Sequence, residues 1–141
     1  MTVGLVIVSH SAQLAEGVAE LAGQMAQGKV AIAVAGGTSD GALGTSVEKI
    51  IDALNQVDGP DGILVLLDLG SAVMATEMAV EAFANEQHHH VVMSSAPLVE
   101  GAVIAAIEAS IGNNLQEVAE AAADAATLPK VHDRNGEEKD Y

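Results

Sequence analysis

Continuous apolar runs alternate along this chain with stretches in which apolar residues recur every three or four positions. Four of the runs predict β-strands, at residues 3–8, 30–35, 63–67 and 91–93. The first three do not alternate between apolar and polar residues, which is typical of strands covered on both faces in a parallel sheet.

The stretches with helical spacing predict amphipathic helices between and after these strands. Their apolar faces are expected to consist, in chain order, of Leu14, Val18, Leu21, Ala22 and Met25; Val47, Ile50, Ile51 and Leu54; Val73, Met74, Met78 and the alanines up to Ala84; Val103, Ile104, Ile107 and Ile111; and Leu115 with Val118. Met74 and Met78 are expected to fill the core; exposed beside a site, they would instead form an apolar rim for a docking partner.

Capping residues mark three of the helix ends. Thr45 followed by Glu48 predicts a capping box at the start of the second helix. Gly112 is expected to end the fourth helix, and Asn113 or Asn114 to cap the last one.

Strands and helices in alternation predict an α/β fold of three layers, with a doubly wound and mainly parallel sheet. We expect the strand order 2-1-3-4, with Val131 as a possible extra edge strand. One domain is expected over residues 1–128, and residues 129–141 read as a charged, flexible tail.

Composition narrows the classes of function. The chain has no cysteine, which excludes a disulfide framework, a thiolate nucleophile and a cysteine-based metal site. Its formal net charge of -15 excludes nucleic acid and an anionic membrane surface as partners and favours a protein with a basic patch. No apolar stretch is long enough for a membrane span and no basic residue precedes the first strand, so a cytoplasmic protein is expected.

The predicted strand order brings His10 and Asp68 together. His10 follows the first strand and Asp68 follows the third, and the crevice outside these strand ends is where doubly wound sheets bind ligands. A carboxylate that accepts the proton of one imidazole nitrogen leaves the other as a directed nucleophile. His10 is therefore the candidate catalytic residue, and Asp68 the residue that orients it.

Donors for an anion are expected around His10. Gly37 and Thr38 follow the second strand, while Ser11 and Ser71 stand at the starts of the first and third helices. Backbone N–H groups and hydroxyls in such places suit a phosphoryl group and require neither a lysine nor a metal. No cofactor is expected.

Three other sites or functions are open to the same residues. His88, His89 and His90 could hold a metal, although consecutive residues on extended backbone do not converge on one ion. Asp68 could be the phosphorylated residue of a receiver-like domain, but such domains need acidic residues where this chain has Ser9 and His10. A small-molecule or nucleotide module would need a P-loop pattern, or a Lys or Arg near the strand ends, and the sequence shows neither.

Four motifs in order resemble one known family. They are residues 8–11, the glycine-rich stretch 36–46, residues 68–72 and residues 96–102. Over residues 1–128 the chain is similar to the phosphotransferase subunit of the dihydroxyacetone kinase that depends on the bacterial phosphoenolpyruvate:sugar phosphotransferase system (PTS). Its wider relatives are the mannose-type enzyme IIA domains.

This resemblance implies a homodimeric carrier that is phosphorylated on His10. HPr, the histidine-containing phosphocarrier, would be the donor, and ADP on the nucleotide-binding kinase subunit would be the acceptor. Asp68 matches the carboxylate that orients the active histidine, whereas residues 69–71 depart from the mannose-type pattern. Some family members carry fused HPr-like and enzyme I-like domains; this chain is expected to depend on free HPr.

Overall fold

The computed structural model describes residues 2–84 and 90–131. The strands are β1 (Gly4–Ser9), β2 (Ile32–Gly36), β3 (Ile63–Leu67) and β4 (Val91–Met93). The helices are α1 (Ala12–Met25), α2 (Val47–Val57), α3 (Ser71–Ala84), α4 (Leu98–Ser110) and α5 (Leu115–Asp124), followed by a 3₁₀ turn at Ala125–Thr127.

The strands form one parallel sheet in the order β2-β1-β3-β4, which confirms the predicted fold class and strand order. Ser9 of β1 lies opposite Gly36 of β2, and Val8 lies opposite Leu67 of β3. The carboxyl ends of these three strands therefore meet at one edge. Val131 lies in a bend, so the described part of the chain shows no fifth strand there.

Side chains of β1 point alternately into two cores. Leu5 and Ile7 are buried beneath α1, α4 and α5, while Val6 and Val8 are buried beneath α2 and α3. Burying each such side chain stabilises the fold by about 1.5–3 kcal/mol. This two-sided burial is why the apolar runs are continuous.

The helix faces differ in part from the predicted ones, because small residues face inward. In α1, Val18 and Ala22 are buried as predicted, but Leu14, Leu21 and Met25 are 42–48% exposed. The expectation that Met74 and Met78 fill the core is wrong, since they are 66% and 61% exposed.

Helix α4 shows the same preference for small residues. Its buried residues are Gly101, Ala102, Ala105, Ala106 and Ala109, whereas the predicted inward residues Val103, Ile104 and Ile107 are only half-buried and Ile111 is 69% exposed. A Cβ on Gly101 would stand 2.5 Å from that of Ala96, so the backbone here lies too close for a larger residue.

The residues that cap the helices are mostly the predicted ones. Asn114 and Glu117 form a capping box at α5, and Gly112 follows α4 with a φ of 90°. The capping box expected from Thr45 is wrong, because Ser46 caps α2 by accepting a hydrogen bond from Lys49 N. Thr45 is thereby free for another role.

Among residues 2–84 and 90–131, no helix combines the length and apolar character that a membrane span requires.

Candidate functional site

The site lies where β1 gives way to α1. The backbones of β2 and α1 are so close here that a Cβ on Gly36 would stand 2.6 Å from Ala12 Cα. Ser11 caps α1 by accepting a hydrogen bond from Leu14 N, so the helix begins directly after His10. His10 is consequently held in the turn between strand and helix, with 29% of its side chain exposed.

The Asp68 carboxylate contacts both the main chain and the ring of His10. The His10 backbone N–H donates to Asp68 Oδ2 at 2.9 Å, and the ring Nδ1 lies 3.1 Å from Oδ1 and 3.3 Å from Oδ2. The predicted pairing of these two residues is thus present in the structure.

Further donors keep the Asp68 carboxylate ionised. Burial by itself would raise the pKa of Asp68, but N–H groups of His10 and Leu69, the Ser9 hydroxyl and the His10 ring together lower it below its usual value. Ser9 is fully buried, and its Oγ lies 3.0 Å from Asp68 Oδ2. Ser9 was not among the predicted site residues; its signal in the sequence is a polar side chain at the end of an apolar strand.

The ionised carboxylate decides which ring nitrogen carries the proton. A carboxylate only accepts hydrogen bonds, so neutral His10 places its hydrogen on Nδ1 and leaves a lone pair on Nε2. Ser71 Oγ lies 2.9 Å from Nε2 and donates to that lone pair. The predicted Ser71 is therefore brought to the nitrogen opposite Asp68.

The Thr45 side chain also reaches this group, whereas the sequence had indicated a helix cap for that side chain. Its Oγ1 lies 3.3 Å from Ser71 Oγ. The Gly44 N–H donates to the His10 carbonyl at 2.9 Å, so the loop that carries Thr45 is attached to the histidine itself.

Within the described part of the chain, the other predicted donors, Gly37, Thr38 and Ser11, make no hydrogen bond to the His10 ring. Gly37 N–H donates to Ser9 O and Thr38 N–H to Ala42 O, so both amides are satisfied by the turn they build. The Thr38 hydroxyl bonds to the Asp40 carboxylate. Ser11 N–H donates to Ser9 Oγ, and the Ser11 hydroxyl oxygen accepts from Leu14 N, so the hydroxyl hydrogen can donate to another group.

Open amides are found instead at the start of α3. Within residues 2–84 and 90–131, the N–H groups of Gly70 and Ser71 have no acceptor. These amides adjoin the Ser71 hydroxyl and lie at the positive end of the helix dipole, which makes them suitable donors to an anion.

One cation lies near the strand ends, contrary to the sequence-based expectation. Lys49, in the first turn of α2, donates from Nζ to the Gly36 carbonyl at 3.1 Å. The residues that line the adjacent cavity of about 260 Å³ include Glu16 and Asp52. Lys49 therefore supports the end of β2 beside two carboxylates, a poor setting for a nucleotide phosphate.

The histidine run at residues 88–90 was the candidate for a metal site. No group of three or more potential ligands occurs in the portion of the chain that is described. His88 and His89 lie outside that portion, and His90 is exposed ahead of β4.

Comparison with known proteins assigns this chain to a family. Residues 4–119 match the EIIA-man family, described as the PTS system fructose IIA component. The phosphoryl donor subunit DhaM of the phosphoenolpyruvate (PEP)-dependent dihydroxyacetone kinase of Escherichia coli K12 is 42% identical over 119 residues, 82% of this chain. This chain spans only 25% of that relative's length.

A shorter relative is matched over nearly its whole length. The phosphoryl donor subunit DhaM of the PEP-dependent dihydroxyacetone kinase 2 of Listeria innocua is 34% identical over 116 residues, which are 82% of this chain and 93% of the relative.

Solved structures agree on the fold. The crystal structure of a protein of unknown function covers 100% of this chain and 99% of its own, with a TM-score of 0.71 and 35% identity. The mannose/sorbose-specific IIA subunit of Enterococcus faecalis has a TM-score of 0.50 at 20% identity, covering 94% of this chain and 96% of its own, which is a likeness of fold alone. The chain belongs to the EIIA-man family of phosphotransferase-system IIA components, together with the phosphoryl donor subunits DhaM.

Proposed function

We propose that this chain is the phosphocarrier subunit of a PTS-dependent dihydroxyacetone kinase. It accepts a phosphoryl group from phospho-HPr on His10 and passes it to ADP bound on the nucleotide-binding kinase subunit, in the cytoplasm. The observation that supports this most is the partly exposed side chain of His10, in which the Asp68 carboxylate on Nδ1 leaves the lone pair on Nε2. The assignment to a dihydroxyacetone kinase rests on the names of the DhaM relatives.

The transfer is an in-line exchange of one P–N bond for another. The Nε2 lone pair attacks phosphorus, the bond from phosphorus to the donor imidazole breaks, and the electron pair stays on the donor nitrogen. Asp68 stabilises the positive charge that develops on the His10 ring. In the second transfer a terminal phosphate oxygen of ADP attacks phosphorus, and the electron pair returns to Nε2.

Donors on α3 are proposed to hold the equatorial oxygens. The Ser71 hydroxyl contacts Nε2, the open amides of Gly70 and Ser71 flank that side chain along the backbone, and the Ser11 hydroxyl is the candidate on α1. We assign Gly37 and Thr38 to the shape of the surrounding turn, because their amides are already bonded in the unphosphorylated protein.

An exposed apolar edge beside the site suits a protein partner. Met74 and Met78 follow Ser71 at helical spacing, and Leu69 precedes it with 66% exposure. Glu77 and Glu81 are exposed on the same helix, so a donor with an apolar centre and basic surroundings would complement this edge.

We further propose that the carrier is a homodimer. The outer edge of β4 has no partner strand within the described residues, and its three residues are only half-buried. Sedimentation equilibrium tests this directly; a single monomeric species at micromolar concentration would refute the dimer without touching the carrier function.

Phosphorylation by a purified system tests the carrier function. Incubation with PEP, enzyme I and HPr, followed by mass mapping, is expected to label His10 once per chain. His10→Ala should abolish the label, and the matched variant His90→Ala should retain it, because His90 lies ahead of β4 and away from Asp68. Label persisting in His10→Ala would refute the proposal.

The receiver-like alternative makes the opposite prediction. Asp68 accepts bonds from Ser9, His10 and Leu69, so attack by its oxygens would break the contacts that fix the site. A phosphohistidine is labile in acid and stable in base, whereas an acyl phosphate on Asp68 would be lost in base.

A further inference from the structure

Three side chains continue the hydrogen-bond chain that starts at Asp68. The sequence of contacts runs from Asp68 Oδ1 to His10 Nδ1 at 3.1 Å, from His10 Nε2 to Ser71 Oγ at 2.9 Å, and from Ser71 Oγ to Thr45 Oγ1 at 3.3 Å. Asp68, His10 and Ser71 already have a role in the proposed transfer, whereas Thr45 has none.

The direction of each bond follows from the first acceptor. Because ionised Asp68 can only accept, Nδ1 donates to it, Nε2 accepts from Ser71, and the lone pairs of Ser71 Oγ accept from Thr45. Thr45 therefore donates to the hydroxyl that itself donates to the nucleophile. Hydrogen bonds arranged in one direction polarise and strengthen one another.

The backbone fixes Thr45 from both sides. Gly44 N–H is bonded to the His10 carbonyl, and Ser46 is the N-cap of α2. Thr45 itself is half-buried, whereas Ser71 is exposed and has three staggered rotamers to choose from. A fixed hydroxyl next to a mobile one can select its rotamer.

We propose that Thr45 is a positioning residue that acts through Ser71, holding the Ser71 hydroxyl in the rotamer that faces Nε2. In the resting protein this keeps the Ser71 hydrogen on the lone pair. When Nε2 bonds to phosphorus, the same rotamer directs that hydrogen to a phosphoryl oxygen. The inference rests on the carrier function proposed above.

Nitrogen NMR of the resting protein tests the coupling without any phosphoryl transfer. Thr45→Val should move the ¹⁵N resonance of His10 Nε2 toward its position in Ser71→Ala, and Thr45→Ser should restore the wild-type position. Thr127→Val is the matched control, because its hydroxyl bonds to Asp124 O in the 3₁₀ turn. An unchanged Nε2 resonance in Thr45→Val would overturn the proposal, and Thr45→Ala replaces it should valine prevent folding.

The rate of phosphoryl acceptance gives a second, independent measurement. Thr45→Val should slow it about 2- to 10-fold, the factor that one neutral hydrogen bond carries. In the Ser71→Ala background the same substitution should have no further effect. A further loss in the double variant would mean that Thr45 contacts the phosphoryl group itself, which contradicts action through Ser71. Failure of the wild-type protein to accept phosphate would refute the carrier function but leave the NMR result standing.

Discussion

The hydroxyl oxygen of Ser71 lies 2.9 Å from Nε2 of His10, so the nitrogen that faces outward already has a donor in the unphosphorylated protein. Asp68 occupies the other nitrogen of the same ring. The imidazole is thus fixed between an acceptor and a donor. In the proposed transfer, a phosphoryl group arriving at Nε2 replaces the Ser71 contact and leaves the Asp68 contact in place.

Removing this hydroxyl should slow transfer while leaving the fold intact. Ser71→Ala deletes a hydrogen bond to a charged oxygen, which corresponds to a loss of roughly 10-fold or more. Ser71 is exposed, so the free energy of unfolding in urea should stay within about 0.5 kcal/mol of wild type. Ser95→Ala, an exposed serine elsewhere, serves as control; equal rates for both variants would exclude a role for Ser71.

Replacing Asp68 by Asn should affect both the chemistry and the stability. The amide has a single NH2 group, which must replace either Oδ1, the acceptor of Leu69 N and His10 Nδ1, or Oδ2, the acceptor of Ser9 Oγ and His10 N. In either orientation donors face one another, and a buried donor without an acceptor costs about 1–3 kcal/mol. Transfer should fall on the order of 10²-fold, since the ring loses its orientation and its counter-charge. Quench-flow with phospho-HPr measures the rate; a wild-type rate in this variant would argue against Asp68 as the orienting residue.

The stability contributed by Asp68 should disappear in acid. Its pKa is lowered from 3.8, so the folded state binds this proton less readily than the unfolded chain. That contribution is present above the unfolded value and is lost as the pH falls through the folded pKa. The part of the difference in unfolding free energy between wild type and Asp68→Asn that comes from this carboxylate should therefore shrink as the pH falls below about 4. A difference that grows in acid would contradict the lowered pKa.

A methyl group at Gly36 should disturb the turn that carries His10. The new Cβ would meet Ala12 Cα at 2.6 Å and Ser11 O at 2.8 Å, both of them backbone atoms. We expect Gly36→Ala to destabilise by about 1–3 kcal/mol and to slow phosphorylation. In contrast, Gly23→Ala in α1 meets open space among the described residues and should stabilise by about 0.5–1 kcal/mol. Thermal unfolding distinguishes the two, and a neutral Gly36→Ala would mean that the turn can move.

The exposed methionines of α3 should matter for partner binding and not for the fold. Met74→Gln with Met78→Gln is expected to raise KM for phospho-HPr several-fold at unchanged kcat, since docking loses apolar area. Met25→Gln, at the opposite end of α1 from the site, is the control. Equal KM values in all three proteins would place the docking surface elsewhere.

Strand positions and strand order were predictable because continuous apolar runs are typical of strands that are covered on both faces in a parallel sheet. That order was enough to bring His10 beside Asp68, since both follow neighbouring strands at the same edge. Ser71 was predicted from its place at the start of a helix.

Helix orientation was not predictable in the same way. In α1, the large residues Leu14 and Leu21 and the small residue Ala15 all fit helical spacing, and packing close to the sheet favours the small one. Thr45 was assigned to a cap because Glu48 follows it three residues later, but Ser46 offers the same capping chemistry and is the residue that caps α2. Which hydroxyl caps the helix and which reaches Ser71 depends on how the loop is tied to the His10 carbonyl, a contact distant in sequence.

Because the Asp68 carboxylate binds both the ring Nδ1 and the backbone N–H of His10, only the Nε2 edge of the imidazole is accessible to a partner protein. Under the proposed carrier function, the donor and the acceptor both use that edge, so we expect each to exclude the other. For a carrier, this imposes strict alternation: each round of exchange waits for one protein to leave before the next arrives.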